Sequence, residues 1–296
     1  MTTGTPLQAT SSNTTSAATT APTLLEVLKA PWSTIEYIPK EVREAWSGIF
    51  STALVAFTAK PSIDSLTHLF LTSKVLLAAP RHGGSKRQEA LIRLLQSRLL
   101  RWQANKIPEL WRDTSREYQT RLLKKGKRAR DGNPTASEEQ KQMNDADIRR
   151  VIHFVDNNLT SRACNLLCSR GVVADSAANR ERISNLFPAP FQQLRSITVD
   201  SSDYSVDEAR LLKLISNWPR GLAPGPSGLR AEHLRVALQW GTSTKATAQS
   251  LIDLATQALS GALPQEIIPG FIAGRLVPLN EKDQGVRPVV IGEKNC

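Results

Sequence analysis

Apolar residues recur every three to four positions along most of this chain. The period is clearest in SKRQEALIRLLQSRLLRWQ, residues 85–103, where Leu91, Leu94, Leu95 and Leu99 share one helical face and Arg93, Arg98 and Arg101 lie off it. SIDSLTHLFLTSKVLLAA (62–79) has the same spacing behind a capping Ser62 or Asp64, and Pro80 with Gly83 and Gly84 stops it. AWSGIFSTALVAFTA (45–59) is apolar all round; at fifteen residues it is short of the roughly 20 a bilayer requires, so it predicts a buried helix. IPELWRDTSREYQTRLL (107–123) predicts a further helix running into a basic loop, KKGKRARDGNP (124–134), opened by Gly126, Gly132 and Pro134.

A second helical stretch begins where Ser137 and Gln140 form a capping-box pattern, and it runs to Leu159. Two short helices follow, SRACNLLCSRGV and SAANRERISNLF, joined through VADS and closed by Pro188 and Pro190. Ser205 and Glu208 form another capping pattern ahead of SVDEARLLKLISNW, which ends at Trp218 before Pro219. Beyond a Pro/Gly-rich loop, Ser227 is placed to cap GLRAEHLRVALQW, and TKATAQSLIDLATQALS stops at Gly261. The character then changes. GFIAGRLVPLN and VRPVVIG are short β-prone runs on either side of EKDQG (281–285), which predicts a hairpin with a five-residue loop. A lone hairpin is marginal in water, so the chain reads as cut inside a sheet-containing domain.

Charge changes this picture at one place. The chain carries a formal +11, and residues 81–130 hold fifteen Lys and Arg against four Asp and Glu, an excess equal to the whole. Such clustering suits a polyanion, most simply nucleic acid; a solvated helix face with a basic turn is the bland reading, weighed equally. The first 22 residues contain eleven Ser/Thr and no charged side chain, which predicts a disordered leader and neither a secretory signal nor a mitochondrial transit peptide. Three cysteines without paired spacing exclude a disulfide scaffold, and Cys164 and Cys168, one helical turn apart, are expected to be buried thiols. None of His68, His82, His153 and His233 stands at metal-ligand spacing from them, so no metal site is expected. KKGKRAR (124–130) also has the composition of a nuclear import signal.

Two stretches carry candidate chemistry. In GLAPGPSGLRAEHL, Pro224 and Pro226 fix φ, Gly225 and Gly228 permit close backbone approach, and Ser227 faces outward at a helix start suited to an anion. In RLVPLNEKDQGVRPVVIG, the hairpin carries Lys282 at its tip, Arg287 at the start of the return strand and Arg275 on the outgoing one, a clamp for phosphate oxygens. Each alone is better explained as a rigid turn or a charged, exposed hairpin.

Taken together, APGPSGLRAEHL and, about forty residues on, IAGRLVPLNEKDQGVRPVVIGE resemble the fingers of reverse transcriptases, specifically those of non-long-terminal-repeat (LINE-like) retrotransposons. LAAPRHGGSKRQ and RACNLLCSRGVVADSAANRERISNLFP resemble the helical region before the polymerase in the same family. The resemblance spans roughly 70–293 and is specific only in the last seventy or so residues. It implies an RNA-directed DNA polymerase in which Lys282 and Arg287 meet the incoming triphosphate and Pro224, Gly225, Pro226, Ser227 and Gly228 lie beside the template. The complete enzyme uses two Mg²⁺ ions on palm aspartates. This sequence has no xADD motif, so it offers no catalytic residue and no cofactor site of its own; nucleotide binding is expected only in a complete polymerase. Ser227 replaces a usual Asp, Glu281 a common Lys and Gln284 a usual Gly.

The expected fold is mainly α: a disordered leader (1–22), a basic helical region (23–135), a helical linker (136–200) and a truncated α+β fingers subdomain (201–296) ending in the hairpin. The expected partners are RNA or single-stranded DNA, through Arg93, Arg98, Arg101, Lys124, Lys125, Lys127 and Arg128 as well as the loop, with no membrane. The rivals are an all-α nucleic-acid-binding or adaptor protein using the basic helices 85–130, and a partly folding remnant.

Overall fold

The structure is a computed structural model; it describes residues 21–80, 87–131, 145–156, 160–168, 172–173, 176–186, 205–280 and 286–292. The leader and Lys282 lie outside those residues, apart from the last two positions of the leader. The described part is mainly helical, with twelve helices and one two-stranded antiparallel sheet near the C-terminus.

The central element is α2 (Lys40–Ala59), whose Trp46, Phe50, Leu54 and Phe57 are all buried. Its apolar run is buried because helices pack on several sides of it: α3 (Ile63–Lys74), α4 (Arg87–Gln103), α10 (Ala231–Gln239) and α11 (Thr244–Leu259). α1 (Leu24–Lys29) lies against α3 and begins with a reciprocal cap between Thr23 and Glu26. α3 is capped by Ser62 with Ser65 as expected, but it stops at Lys74, five residues before the predicted end. The segment after it turns back and extends: Ala78 bridges Thr34, Ile35 N–H donates to Leu77 O at 2.8 Å and Ala79 N–H to Ser33 O at 2.9 Å. Extended pairing with residues 33–35 takes over the backbone groups that a longer helix would have used.

Asn105, at φ 56°, turns the chain from α4 into α5 (Ile107–Asp131). That helix corrects an expectation: residues 124–131 are helical rather than a basic loop. Lys, Arg and Ala are good helix formers, and a single interior Gly126 costs only about 1 kcal/mol. α6 (Asp145–Asp156) and α8 (Ala177–Asn185) fall inside the predicted stretches, α7 (Thr160–Cys168) starts one residue before its own, and Ser176 caps α8; the Ser137 capping pattern lies outside the described residues. α9 (Glu208–Asn217) is capped by Asp207, not Ser205, because the Asp207 Oδ1 accepts from Arg210 N–H at 2.7 Å. Gly261, at φ 68°, follows α11 as expected, and the short α12 (Ile268–Phe271) leads to the sheet.

β1 (Gly274–Asn280) and β2 (Val286–Gly292) pair antiparallel, with Gly274 opposite Gly292 and Asn280 opposite Val286, leaving the expected five residues between them. Pro278 faces Pro288. Neither has an N–H, so this pair sits where the ladder needs none and both imide nitrogens point outward. On β1's outer side, Val172 bridges Leu279 and Val173 N–H donates to Pro278 O at 3.0 Å. Pro288 blunts the outer edge of β2.

The core does not follow the boundary expected at residue 201. One continuous apolar cluster contains Val27, Trp46, Phe57, Leu66, Phe70 and Leu110 from the first part of the chain and Ile215, Leu234, Leu254, Ile267 and Phe271 from the last. α9, α10 and α11 each present an apolar stripe; α2 covers those of α10 and α11, and α9 packs on α10 and α11 in turn.

Candidate nucleic-acid interface

The Pro/Gly loop lies against the turn that follows α3, and its conformation is held from below. Three consecutive carbonyls each accept one side-chain donor from the N-terminal part: Pro226 O from Lys74 Nζ at 2.8 Å, Ser227 O from Ser73 Oγ at 2.9 Å and Gly228 O from Thr34 Oγ1 at 2.6 Å. All three donors are buried, as are Pro224, Gly225, Pro226, Ser227 and Gly228. Gly228 has φ 78°, and a Cβ placed there would lie 2.6 Å from the Thr34 Cγ2 methyl. Glycine is required there both for the left-handed backbone and for the contact.

This answers what the loop's stiffness serves within the chain: its backbone approaches other backbone and side chains of the same molecule. It also corrects the expected orientation of Ser227. That residue is 0% exposed and does not cap α10. Its Oγ accepts instead from Leu229 N–H at 3.1 Å, and the N-cap is Arg230. His233 supplies the side-chain acceptor: its Nδ1 accepts from Arg230 N–H at 3.3 Å while Nε2 meets Ile35 O at 2.8 Å. That pattern requires a neutral imidazole protonated at Nε2, and burial, reinforced by the nearby Arg230 charge and opposed by the Ile35 carbonyl, pushes its pKa down to about 3.

The surface over the loop is formed by other residues. The Arg230 guanidinium spans Leu222 O at 3.2 Å and Thr34 O at 3.4 Å, which ties the 221–223 turn to the 34–38 segment. Glu232 is 7% exposed; Oε1 accepts from Gly221 N–H, and Oε2 has no hydrogen-bond partner. Tyr37 is 53% exposed at this rim, and Arg220 and Ala223 are exposed beside it. Burial raises the Tyr37 phenol pKa, with Glu36 and Glu232 adding to the shift and Arg220 opposing it, so all four groups share one electrostatic neighbourhood.

The three arginines of α4 separate. Arg98 is buried: Nη1 donates to Ala78 O at 2.6 Å and Nη2 lies 3.8 Å from Glu117. It was expected off the apolar face but is an interior strut, because the extended segment after α3 leaves a carbonyl that only a long cationic side chain reaches. Arg101 pairs with Asp113 at 2.8 Å and Glu109 at 3.8 Å, and the exposed Arg93 pairs with Glu89 at 3.1 Å. Lys124, Lys125, Lys127 and Arg128 fall on the second half of α5, and Leu110 and Thr114 in its first half are buried. Arg287 lies opposite Leu279 in the hairpin and is exposed. Its hairpin packs beside α8 and the 172–173 stretch.

Cys164 and Cys168 are exposed, contrary to expectation: α7 turns Ala163 inward and leaves both thiols on its open side. Among the described residues no group of three or more His, Cys, Asp or Glu is placed to hold a metal, and no helix is long and apolar enough to cross a membrane. Sequence reasoning missed Thr34, Ser73, Lys74 and Tyr37. The legible signal for the clamp was Lys74, a single cation inside the apolar run LFLTSKVLLAA. Tyr37 carried none, since its exposure follows from the bends around it. No protein-family model matches the chain, and no curated protein or solved structure matches it.

Proposed function

We propose that this chain is the fingers portion of a reverse transcriptase of the non-long-terminal-repeat retrotransposon type, and that it binds RNA or single-stranded DNA. One combined observation carries the reading: the order of APGPSGL…HL and GRLVPLNEKDQGVRPVVIGE, together with a hairpin paired in register over the second motif and with Arg287 exposed at the start of its return strand. In a complete polymerase Arg287 and Lys282 would receive the triphosphate of the incoming nucleotide as a planar fork and a point charge. The described residues do not fit a two-metal site, having no cluster of acidic ligands, so no chemical step is assigned to them.

The loop's part in this reading is altered by its burial. Residues 224–228 fix the backbone from which neighbouring residues meet the template; they are not themselves a free surface. The deciding experiment is fluorescence anisotropy of the 296-residue chain with labelled single-stranded RNA and DNA across a salt series. Binding of both without sequence preference, weakening steeply with salt, is the expected result. Failure to bind either at low salt would remove the reading.

A second reading, an all-α nucleic-acid-binding or adaptor protein, is favoured by one observation: α5 is an unbroken 25-residue helix that carries Lys124, Lys125, Lys127 and Arg128 together in its second half. If neutralising that half abolishes binding altogether, this reading takes precedence over the polymerase one.

A further inference from the structure

Tyr37 is an aromatic residue more than half exposed on a backbone fixed around it. Ile35 donates to Leu77 O at 2.8 Å and its carbonyl meets His233 Nε2 at 2.8 Å. Thr34 donates its hydroxyl to Gly228 O at 2.6 Å and accepts from Arg230 Nη2 at 3.4 Å. Ile35 and Ile38, on either side, are buried at 9% and 2% exposure. A phenol ring left 53% exposed by such a segment has already lost most of its backbone freedom, so a ligand that covers it costs little ordering.

The charges around the ring select what covers it. Glu36 and the largely buried Glu232 raise the Tyr37 phenol pKa and Arg220 opposes them, and the Arg230 guanidinium, bridging Leu222 O and Thr34 O, holds the turn that follows Arg220 against this segment. Two carboxylates disfavour a phosphate placed on the ring; Glu232 is buried, so the half-buried Glu36 is the one placed to accept from an exocyclic amine. A flat, uncharged group with amine edges fits the ring, and an anion fits the exposed Arg220. Alternating bases and phosphates on one strand supply both at neighbouring positions.

We propose that Tyr37 is a base-stacking residue for single-stranded nucleic acid, with Arg220 taking an adjacent phosphate. The inference rests on the nucleic-acid-binding reading above and gives it a contact outside the loop, the hairpin and the basic helices. Stacking is not electrostatic, so its loss lowers affinity without changing the salt slope, whereas loss of a phosphate contact reduces that slope by about 0.7 on a single strand.

The test uses the full chain and a labelled single-stranded RNA of mixed sequence containing 5-iodouridine. Tyr37→Ala is expected to weaken binding about tenfold with an unchanged salt slope, Tyr37→Phe to stay within about twofold of the parent, and Arg220→Gln to lower the slope. Irradiation of the unaltered chain with the iodinated RNA is expected to place a crosslink on Tyr37, a readout that does not depend on how a variant folds. Parent-like affinity in Tyr37→Ala, or crosslinks confined to α5 and the hairpin, would overturn the inference while leaving the nucleic-acid reading in place. No binding by the parent chain would take down that reading first, and this one with it.

Discussion

At the residue scale, two buried positions set the geometry of the loop. His233 is neutral in the folded chain, with a pKa near 3 against an ordinary 6.5. Its folded-state pKa is depressed, so the stability it contributes is complete above about pH 6.5 and is lost as the pH falls toward 3, at up to about 1.4 kcal/mol per pH unit. Thermal melts from pH 7 to pH 4 are expected to show a falling Tm in the parent and a flatter profile in His233→Gln; equal slopes would mean other groups dominate. Gly228→Ala is expected to destabilise the fold by about 2 kcal/mol or more, combining left-handed strain with the methyl contact. The companion change Thr34→Ser removes the methyl that a Cβ would meet and keeps the hydroxyl. The double variant should therefore be more stable than the two single effects added together. Simple additivity in denaturant unfolding would show that the contact with Thr34 is not what limits residue 228.

At the element scale, the basic region is expected to divide into a structural part, the buried Arg98, and a binding part on the second half of α5. Arg98→Met removes the donor to a buried carbonyl and is expected to lower stability by about 2–3 kcal/mol in urea unfolding, and Arg98→Gln, whose amide is too short to replace the guanidinium, by a similar amount. Joint neutralisation of Lys124, Lys125, Lys127 and Arg128 is expected to leave stability within about 0.5 kcal/mol and to flatten the salt dependence of RNA binding. If the reverse holds, so that Arg98→Gln changes affinity and not stability, the division is wrong. The hairpin is an exposed element: among the described residues it neighbours α8 and the short 172–173 stretch, and Val290 and Leu276 are 58% and 39% exposed. Amide exchange is expected to be faster at 274–280 and 286–292 than in α2, α10 and α11, and equal protection would show that the sheet has a core of its own.

At the scale of the whole molecule, α9–α11 and α1–α4 share one core, so residues 201–296 are not an independent unit. Expressed alone, that segment is expected to give no cooperative thermal transition, because α10 and α11 would expose the faces that α2 covers; a sharp transition would contradict this. The 296-residue chain is expected to show no template-dependent primer extension with Mg²⁺ or Mn²⁺, since its described residues hold no cluster of carboxylates for two metals. Extension that copurifies with the chain through several steps would be the contrary result.

Local order along the chain was set by the sequence itself. The periods of 3.6 and 2, the Ser62 cap, the glycine after α11 and the five-residue hairpin loop all act over a few residues and were legible there. Other features depended on what lay opposite. α3 ends early because residues 33–35 pair with the strand-like stretch that follows it, and Asp207 replaces Ser205 as a cap because either residue satisfies a capping pattern. Arg98, Cys164 and Cys168 exchanged their expected environments, because a helical stripe tells which residues share a side and not which side meets protein. Composition and spacing also marked the Pro/Gly loop as stiff, but its closest neighbours in the chain's own fold, Thr34, Ser73 and Lys74, lie more than 150 positions away. Contacts at that separation are set by which apolar faces fit together, and only the folded chain decides that.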